Sequence, residues 1–334
     1  MELTFTDASL NDLGILDYTS CDFASGIDEN DFDIVLADSS GVPAEGAFVY
    51  DESGGVGGVV RGYESERSTG LLHVIGDTWT GLLDRYVLVP SEGAYFSVSG
   101  DLNACIRALL SQIGAPSLFK ASSSSSGVSV SHTFQGRHDA TQRDTGRFMG
   151  GWAALWQLVS EHGCKCRLSW KPERRRIVVS GFRRADYTDA ESLDAGVANV
   201  HVSRERPVNH LVCLGRGEGA DRLVRHLYAD RVGNVSESQS LKGLDELADV
   251  YDDGGADDEE KLISDGRKKL KELFAKSQTV RIGVGAEGAS FELGDLIGGT
   301  DAKTGVSASA IVTKKVVECE GGATSITYES TVRS

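Results

Sequence analysis

Proline is scarce in this chain, with five residues in 334, and aromatic side chains contribute only 7%. No apolar run approaches the roughly 18 residues that a membrane-crossing helix needs. The first residues, Met1-Glu2-Leu3-Thr4-Phe5-Thr6-Asp7, have no basic stretch leading into an apolar core, so they do not read as a secretory signal. Positive charge is also short: 34 Lys and Arg stand against 50 Asp and Glu, a net charge of −16. An acidic surface repels phosphates and opposes the counterion release that drives general nucleic-acid binding. The six cysteines (Cys21, Cys105, Cys164, Cys166, Cys213, Cys319) are scattered through a chain long enough to fold without disulfide staples. They are expected to be free, buried thiols.

Glycine is what the chain has in quantity, 40 residues of it. With many short Ser/Thr-rich connections, this favours a β-rich protein with tight turns over a helical bundle. The length suggests two or more domains.

Residues 1 to 92 alternate short β-type runs with glycine punctuation, as in Phe32–Leu36, Ala47–Tyr50, Gly57–Val60 and Leu71–Gly76. Such spacing predicts meandering antiparallel strands, read as a barrel. Asp101 is a good N-cap for a helix carrying Leu102, Ile106, Leu109, Leu110 and Ile113, which stops at Gly114. The serine tract from Ala121 to Ser126 lacks apolar periodicity and reads as a mobile loop. A second helix is predicted from Gly151 to His162, with Trp152, Leu155, Trp156 and Val159 as a core stripe. Cys166, Leu168 and Trp170, the turn Lys171-Pro172-Glu173, and Ile177–Val179 make a hairpin. Beyond Val197 strand signals return. The acidic stretch Asp245–Glu260 reads as a solvated connection, followed by a helix from about Asp257 with acidic residues early and lysines late, as the helix dipole favours. Gly321-Gly322 joins two extended runs in a terminal hairpin.

The candidate chemistry is thin. Gly283-Val284-Gly285-Ala286-Glu287-Gly288 matches G-x-G-x-x-G, but no amphipathic helix follows to bring amides to a phosphate, so a turn between strands is expected. His162, Cys164 and Cys166 are three clustered ligands without the second pair that zinc commonly takes. Asp252, Asp253, Asp257 and Asp258 lack calcium-loop spacing. Lys171, Arg174, Arg175, Arg176, Arg183 and Arg184 flank the hairpin and read as a solvated turn. Asn234-Val235-Ser236 is a sequon with no secretory route. No G-x-S-x-G elbow is present. The expectation is therefore no catalytic, cofactor or metal residue.

Two groups of motifs carry a resemblance. One runs from Pro207-Val208-Asn209-His210-Leu211-Val212-Cys213-Leu214-Gly215-Arg216-Gly217-Glu218 through Asp221-Arg222, Leu227–Asp230 and Gly243–Glu246. The other is Leu293–Gly298, Thr304-Gly305 and Ser325–Tyr328. In this order they resemble the phage tail-hub family, proteins of the siphophage and prophage tail tip that are similar to central baseplate hubs. Gly57–Val60, His73–Gly76 and Leu82–Pro90 resemble it more weakly.

The resemblance implies an α+β, mainly β fold with two tube-type β-barrel domains and inserted smaller α+β segments. Residues 1–92 would be the first barrel and 96–190 an inserted domain. Residues 195–334 would hold the second barrel, with the acidic linker and helix at about 241–276 set apart from its strands. Three chains would form a pseudo-hexameric ring adapting a six-fold tube to a three-fold tip. The implied partners are the homotrimer, the distal tail or tail tube protein, the tape measure protein and tip or receptor-binding proteins. DNA would pass through without specific binding. The implied location is the virion tail tip, reached from the host cytoplasm during assembly. Many relatives extend into a peptidase, and because this sequence stops at Ser334 that activity is not expected of it. A cell-wall-degrading enzyme or enzyme subunit used during entry is the alternative.

Overall fold

Period-two alternation in the N-terminal sequence becomes strands in the computed structural model, which describes residues 1–36, 41–66, 70–135, 148–188, 199–285, 290–300 and 307–332. They are β1 (Leu3–Thr6), β2 (Asp12–Ile15), β3 (Ser20–Gly26), β4 (Asp31–Leu36), β5 (Phe48–Asp51), β6 (Gly57–Glu66) and β7 (Leu71–Thr78). In β4, Phe32, Ile34 and Leu36 are buried while Asp31, Asp33 and Val35 keep contact with solvent, so the pleat sets one face against a core.

The inserted segment contains α1 (Trp79–Asp84), β8 (Val87–Leu88), β9 (Ser97–Asp101), α2 (Leu102–Gln112), β10 (Phe119–Ala121), β11 (Ser129–Thr133), β12 (Met149–Gly150), α3 (Gly151–Glu161), β13 (Cys164–Lys171), β14 (Arg176–Arg183) and β15 (Asp186–Tyr187). Asp101 caps α2 by accepting from the Asn103 amide at 2.9 Å. Helices α2 and α3 pack with the β13–β14 hairpin around Leu102, Ile106, Trp152, Leu155 and Ile177. Trp152 also donates from Nε1 to the Gly26 carbonyl at 2.6 Å, fastening this core to β3. The serine tract is not a free loop. Ser125 Oγ, Ser126 N and Ser126 Oγ donate to Asp101 Oδ2 at 2.8, 2.9 and 2.8 Å, because the capping carboxylate has a second oxygen to satisfy.

The last third holds β16 (Asn199–Arg204), β17 (His210–Leu214), β18 (Val224–Ala229), β19 (Val235–Ser236), β20 (Ala248–Asp252), α4 (Glu259–Lys276), β21 (Gln278–Gly285), β22 (Leu296–Thr300), β23 (Ser307–Glu320) and β24 (Ala323–Val332). Asp258 caps α4 from the Glu260 amide, with Glu259 and Glu260 in the first turn and Lys276 in the last. The β23–β24 turn has φ +58° at Gly321 and +83° at Gly322, the left-handed pair that a two-residue type I′ turn requires.

Among the described residues thirteen strands make one sheet, with main path β16-β21-β24-β23-β3-β4-β7-β6-β5-β1-β2; β22 pairs with β23, and β15 with β22. Strands expected in two separate barrels thus share one ladder, joined where Lys314–Glu320 runs antiparallel to Ser20–Gly26. From β23 to β1 the sheet curls over a single core in which Leu3 meets Val317 and Cys319. Across this curl the Tyr18 hydroxyl donates to the Met1 carbonyl at 2.5 Å and lies 3.4 Å from Cys319 Sγ.

One part of the expected second barrel stands elsewhere. Strands β19-β18-β17-β20 form their own sheet, and with α4 they bury Leu211, Cys213, Leu227, Leu262 and Leu270. The acidic connection is likewise not wholly loop, since Ala248–Asp252 pairs in parallel with His210–Leu214. Backbone pairing at a sheet edge asks little of side chains, so an acidic segment serves there and its charge deters further strands.

Removing residues 306–334 deletes β23 and β24 and leaves β3 and β21 with unpaired edges. The truncated chain should aggregate or lose its cooperative thermal transition, read by circular dichroism and sedimentation. A soluble truncation that melts cooperatively would contradict this dependence.

Candidate functional site

The basic residues do not converge. Arg175 adopts φ +46° in the hairpin turn and reaches Asn11 Oδ1 at 3.4 Å, and Arg174 pairs with Glu173 at 3.8 Å. Arg183 and Arg184 lie at the opposite end, where Arg184 donates to the Ser160 carbonyl at 2.7 Å. Seven residue steps along extended strand, about 23 Å, separate Arg176 from Arg183.

His162 ends α3, and Cys164 and Cys166 follow on β13. Cys164 and Cys166 are buried on the core side of β13, and Cys164 donates to the His162 carbonyl at 3.3 Å. Burial pushes both thiols up, away from the thiolate a metal requires. Among the described residues no group of three His, Cys, Asp or Glu side chains is arranged to hold a metal ion.

The four aspartates divide their roles. Asp252 pairs with Arg222, Asp257 with Arg216 at 3.7 Å, Asp258 caps α4, and the Asp253 amide donates to the Leu214 carbonyl at 2.8 Å. Asn234 Nδ2 donates to Asp230 in a local turn. Gly283 and Gly285 close β21, while the rest of the expected strand-to-strand turn, 286–289, lies outside the described residues.

Two arrangements were not anticipated. The first gives Leu293-Gly294-Asp295-Leu296 a physical meaning. Asp295 is buried and accepts from the Ala185 amide at 2.9 Å and from Lys165 Nζ at 2.7 Å. Lys165 also reaches Glu292 at 2.7 Å, and Arg167 pairs with the same Glu292. Burial alone would lower the Lys165 pKa, but hydrogen bonds and attraction from Asp295 and Glu292 outweigh it, so it is raised. Gly294 sits at φ +93°, where a Cβ would come 2.9 Å from Lys165 Cβ. This cluster fastens β13 of the inserted segment to the start of β22.

The second is a row of acids on the solvent side of the main sheet. Glu318 on β23 is directly opposite Asp22 on β3, and Asp22 is directly opposite Asp33 on β4. Asp33 is held by His73 Nδ1 at 2.8 Å. Burial, followed by the charges of Glu318, Glu29, Asp31 and Asp33, pushes the Asp22 carboxyl up to about 6. Like charges directly opposed across strands destabilise a sheet. No single-strand motif reveals such a row, because Asp22 and Asp33 stand on different strands, Glu318 comes from the far end of the chain, and the three meet only through register.

No protein-family model matches this chain, and no curated protein matches it. Among solved structures, the 43 kDa tail protein of prophage MuSo2 from Shewanella oneidensis superposes with a TM-score of 0.54 at 11% identity, covering 99% of this chain and 98% of that one. A tail protein from Neisseria meningitidis gives 0.49 at 16% identity, covering 99% and 96%. A prophage tail protein from Listeria monocytogenes gives 0.47 at 12%, covering 98% and 94%. At 11% identity the first likeness speaks for the fold alone, and that fold is one a phage tail protein has, as the resemblance in sequence implies.

Two measurements probe the two arrangements. Asp295→Ala and Lys165→Met should each cost about 3–5 kcal/mol, the usual loss when one partner of a buried ion pair is removed; a denaturation midpoint unchanged in either variant would show the cluster to be dispensable. Asp22→Asn tests the acid row through pH. A carboxyl whose folded pKa lies above its unfolded value of 3.8 favours the folded state when protonated, and that support is lost as pH rises through about 6. The variant should therefore melt higher than the parent at pH 7.5, and the advantage should fade toward pH 4. An advantage independent of pH would point to shape, not charge.

Proposed function

We propose that this chain is a structural hub at the tail tip of a phage or phage-derived particle, working through its surfaces and without catalysis. The observation that carries the reading is likeness of fold over essentially the whole chain, 99% of it, to a prophage tail protein that is itself covered over 98%. Fold alone does not imply function, and the acid row adds an electrostatic reason.

In this reading three chains form a ring. Each supplies two tube-type elements, one from residues 1–92 and one from the β21–β24 part of 195–334, with residues 96–190 as the inserted domain. Three copies of two similar surfaces match a six-fold tube with a three-fold tip. The ring contacts the tail tube or distal tail protein, the tape measure protein and tip or receptor-binding proteins. It is assembled in the host cytoplasm and resides in the virion.

DNA leaving through such a ring would meet a wall that must not retain it. Each phosphate contact with Lys or Arg adds affinity, whereas Glu318, Asp22 and Asp33 present one sign across three adjacent strands. We assign this face to the channel, where it repels the passing backbone.

Reconstruction of the assembled tail tip tests the proposal directly. The expected outcome is three copies of this chain in one ring, with the Glu318–Asp22–Asp33 row on the channel wall. A different copy number, or a strongly basic wall built by this chain, would overturn it.

A further inference from the structure

Two of the six cysteines face each other. Cys21 on β3 is directly opposite Cys319 on β23, one step from the Ser20–Glu320 end of their ladder. Both are buried in the core of the curled sheet, and both are free thiols. The other four have no such neighbour in register: Cys164 and Cys166 stand opposite Arg183 and Gly181, Cys213 opposite Arg225 and Tyr251, and Cys105 lies on α2. Opposed residues of an antiparallel pair hold their Cα atoms about 4.5–5.5 Å apart, inside the ~4.4–6.8 Å that a disulfide spans. The pleat also turns both side chains to the same face.

The surroundings make the two sulfurs unequal. The Tyr18 hydroxyl lies 3.4 Å from Cys319 Sγ, the Met1 amino nitrogen 3.6 Å and Thr324 Oγ1 3.8 Å. Burial opposes ionisation of Cys319, but these donors outweigh it and the pKa is lowered. Burial, followed by the charge of Cys319, pushes the Cys21 thiol up to about 12. Met1, Tyr18 and Thr324 are each half-buried, so the Cys319 sulfur lies one layer of side chains below solvent. The end of a ladder also opens at lower free energy than its centre. A sulfur inclined to ionise, near the surface, beside a second one held as a thiol is the arrangement of an attacking and a resolving cysteine.

We propose that Cys21 and Cys319 close into a disulfide when the folded protein meets a small peroxide, locking the β3–β23 ladder. The Cys319 thiolate attacks one peroxide oxygen; the O–O bond breaks, Cys319 becomes a sulfenic acid and hydroxide leaves, taking up a proton from solvent. The Cys21 sulfur then attacks Cys319 Sγ; the S–O bond breaks, the S–S bond forms, and the departing oxygen takes the Cys21 proton and leaves as water. Two thiols and one peroxide give one disulfide and two waters, the cysteines losing the two electrons that the peroxide gains. Cytoplasmic thiol pools keep such a pair reduced, and an oxidising exterior does not. The cross-link stands whether or not the chain builds a ring.

The test uses the full chain, reduced, freed of reductant and treated while folded with hydrogen peroxide, then alkylated under denaturing conditions and mapped by peptide mass spectrometry. The expected result is a linked Cys21–Cys319 peptide in most chains, reversed by dithiothreitol and accompanied by a higher thermal midpoint, with Cys105, Cys164, Cys166 and Cys213 still alkylated. Cys21→Ala removes the resolving thiol, so Cys319 should persist as a sulfenic acid and react with dimedone. In Cys319→Ala, Cys21 should remain a thiol. Alkylation of both Cys21 and Cys319 after peroxide, a bridge to any other cysteine, or a linked peptide that forms only when the chain is unfolded before oxidation would overturn the proposal. Equal dimedone labelling in the two variants would overturn the assigned order of attack. The parent's peptide map decides the cross-link even where a variant fails to fold.

Discussion

The pairing of β3 with β23 is the constraint from which most of this structure follows. Seven residue pairs, Ser20–Gly26 against Lys314–Glu320, join the beginning of the chain to its end. A one-residue slip in this ladder would exchange the faces of every side chain on β23. Val317 and Cys319 would leave the core, and Glu318 would turn inward from the acid row. A local irregularity in β23 makes the observed phase possible. The β23–β24 register shifts between Val312 and Lys314, so Ala310 and Val312 are buried on one side of the extra residue while Val317 and Cys319 are buried on the other. A β-bulge re-aims a strand in this way without ending it.

Charge is treated in two opposite ways on either side of that sheet. Lys165, Asp295 and Glu292 meet in a largely buried cluster where opposite signs compensate and the backbone amide of Ala185 supplies a further donor. Such a cluster is a specific joint: its value depends on every member being present, because an orphaned buried charge is expensive. Across the sheet, Glu318, Asp22 and Asp33 stand with like sign and keep contact with solvent, where screening makes the arrangement tolerable. The first holds the inserted segment in place, and the second shapes the field outside.

Local chemistry was legible in the sequence and long-range chemistry was not. The cap at Asp101, the acidic start and basic end of α4, the apolar stripe of α3 and the Gly321-Gly322 turn are set by residues within a few positions of one another, and each element forms where its spacing predicts it. The alternate burial of Cys164 and Cys166 along β13 was also readable. Three features escaped. Ladder β3–β23 spans nearly the whole chain, and nothing in either strand names its partner. Strand β20 hides in an acidic stretch because its contribution is backbone pairing at an edge. The serine tract lacks any periodicity, yet Asp101 orders it through side-chain hydrogen bonds. Of the candidate surfaces, Asp22, Asp33 and Glu318 each read as an ordinary solvent-facing strand residue, and only register makes them a row. Asp295 sat within a motif noted for its resemblance, but its partner Lys165 lay in a different segment.

The acid row bears on why a tail component would keep an arrangement that weakens its own sheet. Like charges directly opposite each other cost about 0.2–1 kcal/mol per pair, and Asp22 bears two such neighbours besides being partly buried. Asn or Thr at Asp22, the middle position, would relieve that cost and preserve the strand. Packing therefore gives no reason for the row. A requirement on the field outside the sheet does, since a surface that must let a polyanion slide past gains from repulsion at every strand it presents. Stability is lost where the fold can spare it, next to a ladder anchored by the buried row on its other face, and the resulting potential lies where the proposed channel needs it.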